Sequence, residues 1–318
     1  MKVIGIVGEY NPFHFGHAYH IEESRKAAGE DSAVVCVMSG DFVQRGEAAL
    51  YSKFARAEAA CRSGADLVLE LPLTWSLSSA EGFARGALGI LGNLGVVDTL
   101  SFGSECGSAN ALSRTAELLL KPETDERIRR ELKENEGISF AAARQRALAH
   151  FDGDLALLLE SPNNILGVEY IKAIYEQSLD ITPVTVMRLG AGHDAHGDAL
   201  PRSASEIRRR IKAKNDAEGD IPAAALEVYE RERRLGRGPV FADALEIAAL
   251  SRLRMLPKEA FALLPDCGEG LSDRIAAAVS EESSLDAIAA AAKSKRYALS
   301  RIRRILMCAS LGVRKGAA

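Results

Sequence analysis

Two histidines have the types and spacing to do chemistry. They lie in the run Gly8-Glu9-Tyr10-Asn11-Pro12-Phe13-His14-Phe15-Gly16-His17. An apolar stretch, Val3 to Val7, precedes them and reads as a buried strand, and Asn11-Pro12 marks a turn. A helical pattern follows, from Gly16 to Ala28. A strand, a sharp turn and a helix N-terminus make a phosphate site, because the first N–H groups of the helix lack partners and its dipole favours an anion. Imidazoles at 14 and 17 stand one helical turn apart and add donors to that anion. Gly16 removes a side chain that would hold a phosphate off the backbone. The plainer reading of the pair is two surface histidines at a helix start.

Other residues gather around this stretch in the same way. Ser39-Gly40-Asp41-Phe42-Val43-Gln44-Arg45-Gly46-Glu47 reads as a charged loop. Asp41 has the chemistry to hold a nucleophile, a metal or an amine, and Arg45 to grip a carboxylate or pyrophosphate in two-pronged fashion. Lys53 and Arg56 open the next helix, where cations oppose the dipole, so a nearby phosphate or acidic partner would account for them. Phe102-Gly103-Ser104-Glu105 ends a strand with glycine, which fits either a nucleoside edge or a tight turn. Asn163 and Asn164 precede an apolar helix and suit a cap or a base contact. Arg188 ends the last strand candidate. Ser203-Ala204-Ser205-Glu206-Ile207-Arg208 is a second helix start with hydroxyls. His193, Asp194 and His196 fit no standard metal-site spacing, and no metal site is assigned.

These residues need a scaffold that brings them together. Short apolar runs at Val3–Val7, Ala33–Met38, Leu67–Leu71, Thr99–Phe102 and Val184–Leu189 lack alternation, as strands buried on both faces do. Helical patterns lie between them at Gly16–Ala28, Lys53–Ser63, Ser79–Leu94 and Ala109–Lys121. The alternation predicts an α/β fold with a parallel sheet and ligands at the carboxyl ends of its strands. A helical insertion is expected at about 122–160. A polar stretch, Asn215–Asp220, suggests a boundary, with residues 1–215 forming the catalytic part and 216–318 an all-helical C-terminal part.

The chain has 318 residues and a formal charge of −4. That charge is unevenly spread. Lys293, Lys295, Arg296, Arg301, Arg303, Arg304, Arg314 and Lys315 make the segment from 293 onward +8, with no acidic residue, so residues 1–292 carry −12. A basic end on an acidic body points to a localised polyanion contact, RNA phosphate above all. Five scattered cysteines argue for reduced thiols rather than a disulfide framework. No apolar stretch is long enough to span a membrane and no leader pattern opens the chain. A cytoplasmic protein with no membrane partner is therefore expected.

The His14-x-Gly16-His17 pattern after the first strand resembles the signature of the nucleotidyltransferase superfamily. Together with Met38-Ser39-Gly40-Asp41-Phe42-Val43-Gln44-Arg45-Gly46-Glu47, Ser161-Pro162-Asn163-Asn164-Ile165-Leu166-Gly167 and Lys295-Arg296-Tyr297, it resembles the tRNA(Met) cytidine acetate ligases. The resemblance runs from residue 2 to about 312. It differs at the tail, where Arg303-Arg304 follows Ile302. It implies a Rossmann-like nucleotidyltransferase domain and a tRNA-binding helical domain. The implied reaction makes acetyl-adenylate from ATP and acetate, then acetylates the wobble cytidine of elongator tRNA(Met), with Mg2+ accompanying ATP and without acetyl-CoA. His14, His17, Asp41 and Arg45 are the implied catalytic residues. Val7, Gly8, Glu9, Tyr10, Asn11, Pro12, Phe13, Gly16, His20, Gly103, Asn163, Arg188 and Ser205 are the implied ATP contacts. Lys293, Lys295, Arg296, Arg301, Arg303 and Arg304 are the implied tRNA contacts. Two other functions use the same half-sites: a small-metabolite adenylyltransferase, and a non-catalytic RNA-binding factor.

Overall fold

The computed structural model describes residues 1–29, 31–188, 202–215, 217–268 and 270–317. Its strands are β1 (Lys2–Gly8), β2 (Ser32–Ser39), β3 (Phe42–Val43), β4 (Glu47–Ala48), β5 (Leu67–Leu71), β6 (Thr99–Ser104) and β7 (Thr182–Met187). Five of them form one parallel sheet in the order β5-β2-β1-β6-β7. The chain moves outward from β1 to β5, then crosses back to place β6 on the other side of β1. Open parallel sheets bind ligands where the strand order reverses in this way, beyond the carboxyl ends.

The two faces of the sheet are read directly from residue parity, since successive strand side chains point to opposite sides. Val3 of β1 and Val35 and Val37 of β2 enter a core with α4 (Ala80–Asn93), α5 (Ala109–Leu119) and α9 (Pro162–Glu176). Ile4, Ile6, Val34, Cys36 and Met38 enter the opposite core, with α1 (Phe15–Ala28) and α2 (Lys53–Arg62). A short helix, α3 (Leu73–Ser76), follows β5. The expected insertion contains α6 (Pro122–Glu134), α7 (Phe140–Ala149) and a further short helix, α8 (Gly153–Leu157).

Hydrophobic packing continues across position 215. Ile207 of α10 (Ala204–Lys212) and Ala225, Val228 and Tyr229 of α11 (Ala223–Arg234) complete the core under β1 and β2. A separate core joins α12 (Asp243–Arg254), α13 (Leu271–Glu281), α14 (Leu285–Ala292) and α15 (Leu299–Leu311). Its α15 face is Ile302, Ile305, Leu306 and Ala309, the i, i+3, i+4, i+7 stripe of an amphipathic helix. Among the described residues, no helix is long and apolar enough to cross a membrane. All five cysteines are free thiols.

Candidate active site

The loop from β1 to α1 is pinned from three directions. The Leu50 amide donates to Asn11 Oδ1 at 2.7 Å. The Phe13 amide donates to the Tyr229 hydroxyl at 2.9 Å, and Arg208 donates to the Asn11 carbonyl at 2.8 Å. Tyr10, at φ 46°, is buried with its hydroxyl 3.1 Å from Cys36 Sγ. These contacts fix where α1 begins, and His14 is its N-cap.

His14 and His17 are set by the helix start itself. His14 Nδ1 accepts the Gly16 amide at 2.9 Å, and His17 Nδ1 accepts the His14 amide at 3.3 Å. A ring nitrogen that accepts carries no proton, so each neutral ring bears its hydrogen on Nε2. The ring centroids are 3.9 Å apart. Burial lowers the pKa of His14 to about 4, with the positive charge of Arg188 adding to the effect. Burial also holds His17 well below its ordinary value, helped by His14, His20 and Arg188. The pair therefore stands at neutral pH as two uncharged N–H donors. Donors fixed in advance in a dehydrated site are suited to charge that develops on a phosphate during reaction.

Gly16 also has a packing role. A Cβ there would lie 2.7 Å from His14 Cε1 and 3.0 Å from its Nδ1. The glycine makes room for the capping imidazole. His20 lies one turn further along α1, its Nε2 3.0 Å from the Ser101 hydroxyl of β6, and Ser101 is 2.7 Å from Ser24. Burial again lowers His20 to about 4.

The carboxyl ends of β6 and β7 form the opposite wall. The Arg188 amide donates to the Ser104 carbonyl at 3.0 Å, and a Cβ on Gly103 would lie 3.2 Å from Arg188 Cγ. Gly103 and Arg188 are thus direct neighbours. Glu105 ties this wall to α9: its carboxylate accepts Asn163 Nδ2 at 2.6 Å and the Asn164 amide at 2.9 Å. Asn164 Oδ1 in turn accepts the amides of Glu105 and Cys106. The helix is capped by a carboxylate 58 residues away rather than by its own asparagines.

The loop expected after β2 contains an antiparallel hairpin, β3 with β4. Asp41 leads into it, and Asp41 Oδ1 accepts the Lys53 amide at 2.7 Å, which holds the carboxylate at the start of α2. Arg45 is exposed at the hairpin turn, near the charge of Glu9. Glu9 Oε1 accepts the Gln44 amide at 2.7 Å, and burial raises the Glu9 pKa.

Arg56 corrects the sequence reading. It is fully buried, and it donates to the backbone carbonyls of Tyr51, Glu9, Ser39 and Gly40. Its guanidinium joins the loops after β1 and β2 through those carbonyls. Lys53 pairs instead with Glu70, at 2.6 Å.

A match to the model for the HIGH nucleotidyl transferases covers residues 1–317. The tRNA(Met) cytidine acetate ligase of Acetivibrio thermocellus is 39% identical over 98% of this chain and 78% of its own length. The ligase of Caldanaerobacter subterraneus subsp. tengcongensis is 41% identical over 96% of this chain and 77% of its own. A crystal structure of Thermotoga maritima TmcAL bound with alpha-thio ATP superposes with a TM-score of 0.91, at 37% identity, over 99% of this chain and 76% of that one. The chain belongs to the tRNA(Met) cytidine acetate ligase family.

The remaining expected residues of this family member fall in two places. Ser205 is exposed in the first turn of α10, and Ser203 supplies the cap by accepting the Glu206 amide at 3.3 Å. Lys293, Lys295 and Arg296 are exposed ahead of α15. Arg301 and Arg303 have partners in the neighbouring elements. Arg301 donates to the Asp266 carbonyl, and Arg303 pairs with Asp286 at 2.9 Å and Glu47 at 3.4 Å. Burial lowers the Arg304 pKa. His193, Asp194 and His196 lie outside the described residues.

Three residues near the site stand in stretches the sequence singled out, but their partners could not be read there. Glu105 and Arg208 act through partners far along the chain, and Glu47 lies between Arg208 and Arg303. The match of an acidic residue ending β6 to the amides opening α9 is a signal that capping logic offers, but only once the two segments are known to meet.

Proposed function

We propose that the chain activates acetate with ATP and acetylates the wobble cytidine of elongator tRNA(Met). The observation that carries this reading is the pair of neutral Nε2–H donors at the N-terminus of α1, beyond the carboxyl end of β1. The triphosphate lies there, between the imidazoles and Arg188. Acetate oxygen attacks the α-phosphorus and pyrophosphate leaves. The charge gathered on the α-phosphate oxygens is met by His14 and His17. The cytidine amine then attacks the acetyl carbon of the adenylate, and AMP departs. No acetyl-CoA is needed, because the adenylate already supplies a leaving group.

Val7 to Phe13, Gly16, His20, Gly103, Asn163, Arg188 and Ser205 form the ATP pocket in this reading. Asp41 orients the amine, and Arg45 meets acetate or pyrophosphate. The exposed cations Lys293, Lys295 and Arg296 lead the RNA contact. Arg301, Arg303 and Arg304 join it from positions they already hold in the fold. The relatives carrying the same name support the substrate, and the acetate and RNA roles follow from that name. Among the described residues, no group of three or more His, Cys, Asp and Glu side chains is gathered to hold a metal. In this reading Mg2+ would arrive with ATP, coordinated chiefly by phosphate oxygens and water. The division into an ATP-binding part and an RNA-binding helical part, and a cytoplasmic location, belong to the same proposal.

The test is mass analysis of tRNA(Met) after incubation with ATP and acetate. The expected result is one added acetyl group on the anticodon fragment, dependent on both small molecules. Unmodified RNA, or AMP joined to another acceptor, overturns the proposal.

A further inference from the structure

Glu105 does more than cap a helix. Its carboxylate oxygens act as acceptors: they receive Asn163 Nδ2 at 2.6 Å, the Asn163 amide at 3.3 Å and the Asn164 amide at 2.9 Å. An asparagine amide has two ends of opposite character, and a fixed acceptor decides which end points where. Here the NH2 end is claimed by Glu105. Among the described residues, none donates to the carbonyl end. The carboxylate is itself held, because the Glu105 and Cys106 amides both donate to Asn164 Oδ1, at 3.0 and 3.1 Å. The lock is thus reciprocal between the end of β6 and the start of α9.

We propose that Glu105 is a positioning residue that fixes Asn163 as a hydrogen-bond acceptor toward the nucleoside, so that the pocket selects a nucleotide with a donor at that point. The donor is a ribose hydroxyl or the exocyclic amine of adenine. This inference rests on the reading of Asn163 as a wall of the ATP pocket. Without Glu105, the amide turns freely and presents either end, and discrimination fades while the other contacts to the nucleotide remain.

The test compares binding of ATP, 2′-deoxy-ATP, 3′-deoxy-ATP and inosine triphosphate by calorimetry, in the unaltered protein and in Glu105→Ala and Asn163→Ala. One missing neutral hydrogen bond corresponds to about a tenfold change in affinity. The unaltered protein is expected to bind one analogue about tenfold more weakly than ATP, and which analogue it is names the donor. Inosine triphosphate carries a carbonyl where ATP carries the amine, so it reports the adenine case. Both variants are expected to bring that ratio close to one. A purely structural role for Glu105 predicts that all nucleotides weaken together with the ratio intact, and that result overturns the inference. Should Glu105→Ala fail to fold, Asn163→Ala leaves the carboxylate cap in place, and discrimination surviving there overturns the inference too. Absence of any nucleotide binding to the unaltered protein instead refutes the proposed function.

Discussion

Lowering the pH should destabilise this protein through its buried imidazoles. His14 and His20 each have a folded-state pKa of about 4, against about 6.5 in an unfolded chain. The folded value lies below the unfolded one, so the unfolded state binds more protons, and stability falls as pH drops from about 6.5 toward 4. Between pH 7 and 5.5 the linkage relation gives a loss of about 1 kcal/mol for each ring, and ~2–3 kcal/mol for both. His17 is displaced in the same direction and adds to the loss. A matched variant isolates the effect. His14→Asn keeps an acceptor for the Gly16 amide where Nδ1 now stands, and His20→Gln keeps a partner for Ser101. Urea unfolding of both proteins at pH 7 and 5.5 is the assay. The variant is expected to lose about 2 kcal/mol less than the parent over that interval. Equal losses refute the assignment of buried, neutral imidazoles. A bound ATP analogue should reduce the loss in the parent, since a polyanion raises both imidazole pKa values.

Two further outcomes follow from the hairpin. Gly46 has φ 76°, and a Cβ there would lie 2.5 Å from the backbone of Arg303 and Arg304. Gly46→Ala should cost about 1–3 kcal/mol in urea unfolding and disturb the seating of α15, and an unchanged midpoint contradicts that packing. Asp41→Ala should spare acetate-dependent ATP–pyrophosphate exchange while stopping acetyl transfer to RNA; loss of both activities sinks the role assigned to Asp41.

The central strands β1, β2 and β6 were legible because each is an apolar run largely buried on both faces, while the edge strands β5 and β7 are apolar runs that stay partly exposed; parity alone separates Val35 and Val37 from Val34, Cys36 and Met38. The helix starting at His14 was legible from the turn before it and the apolar periodicity after it. The hairpin β3–β4 was not, because two-residue strands carry no period. They are held by Glu9, by the Ser76 hydroxyl on the Phe42 carbonyl, and by α15 behind Gly46. Arg56 was misread for a related reason. Its partners are backbone carbonyls, which have no sequence signature, and three of the four lie 47, 17 and 16 residues earlier in the chain. The basic tail shows the same limit. Counting charge finds the cations, but Arg303 meets Glu47, which lies 256 residues away and which only folding brings near.

The central claim concerns where a nucleoside triphosphate lies. A crystal of this protein grown with a non-hydrolysable ATP analogue tests it most directly. The account predicts density for the phosphates at the amino end of α1, within hydrogen-bonding distance of Nε2 of both His14 and His17. Phosphates bound elsewhere, or rings that keep Nε2 turned from the ligand, contradict it.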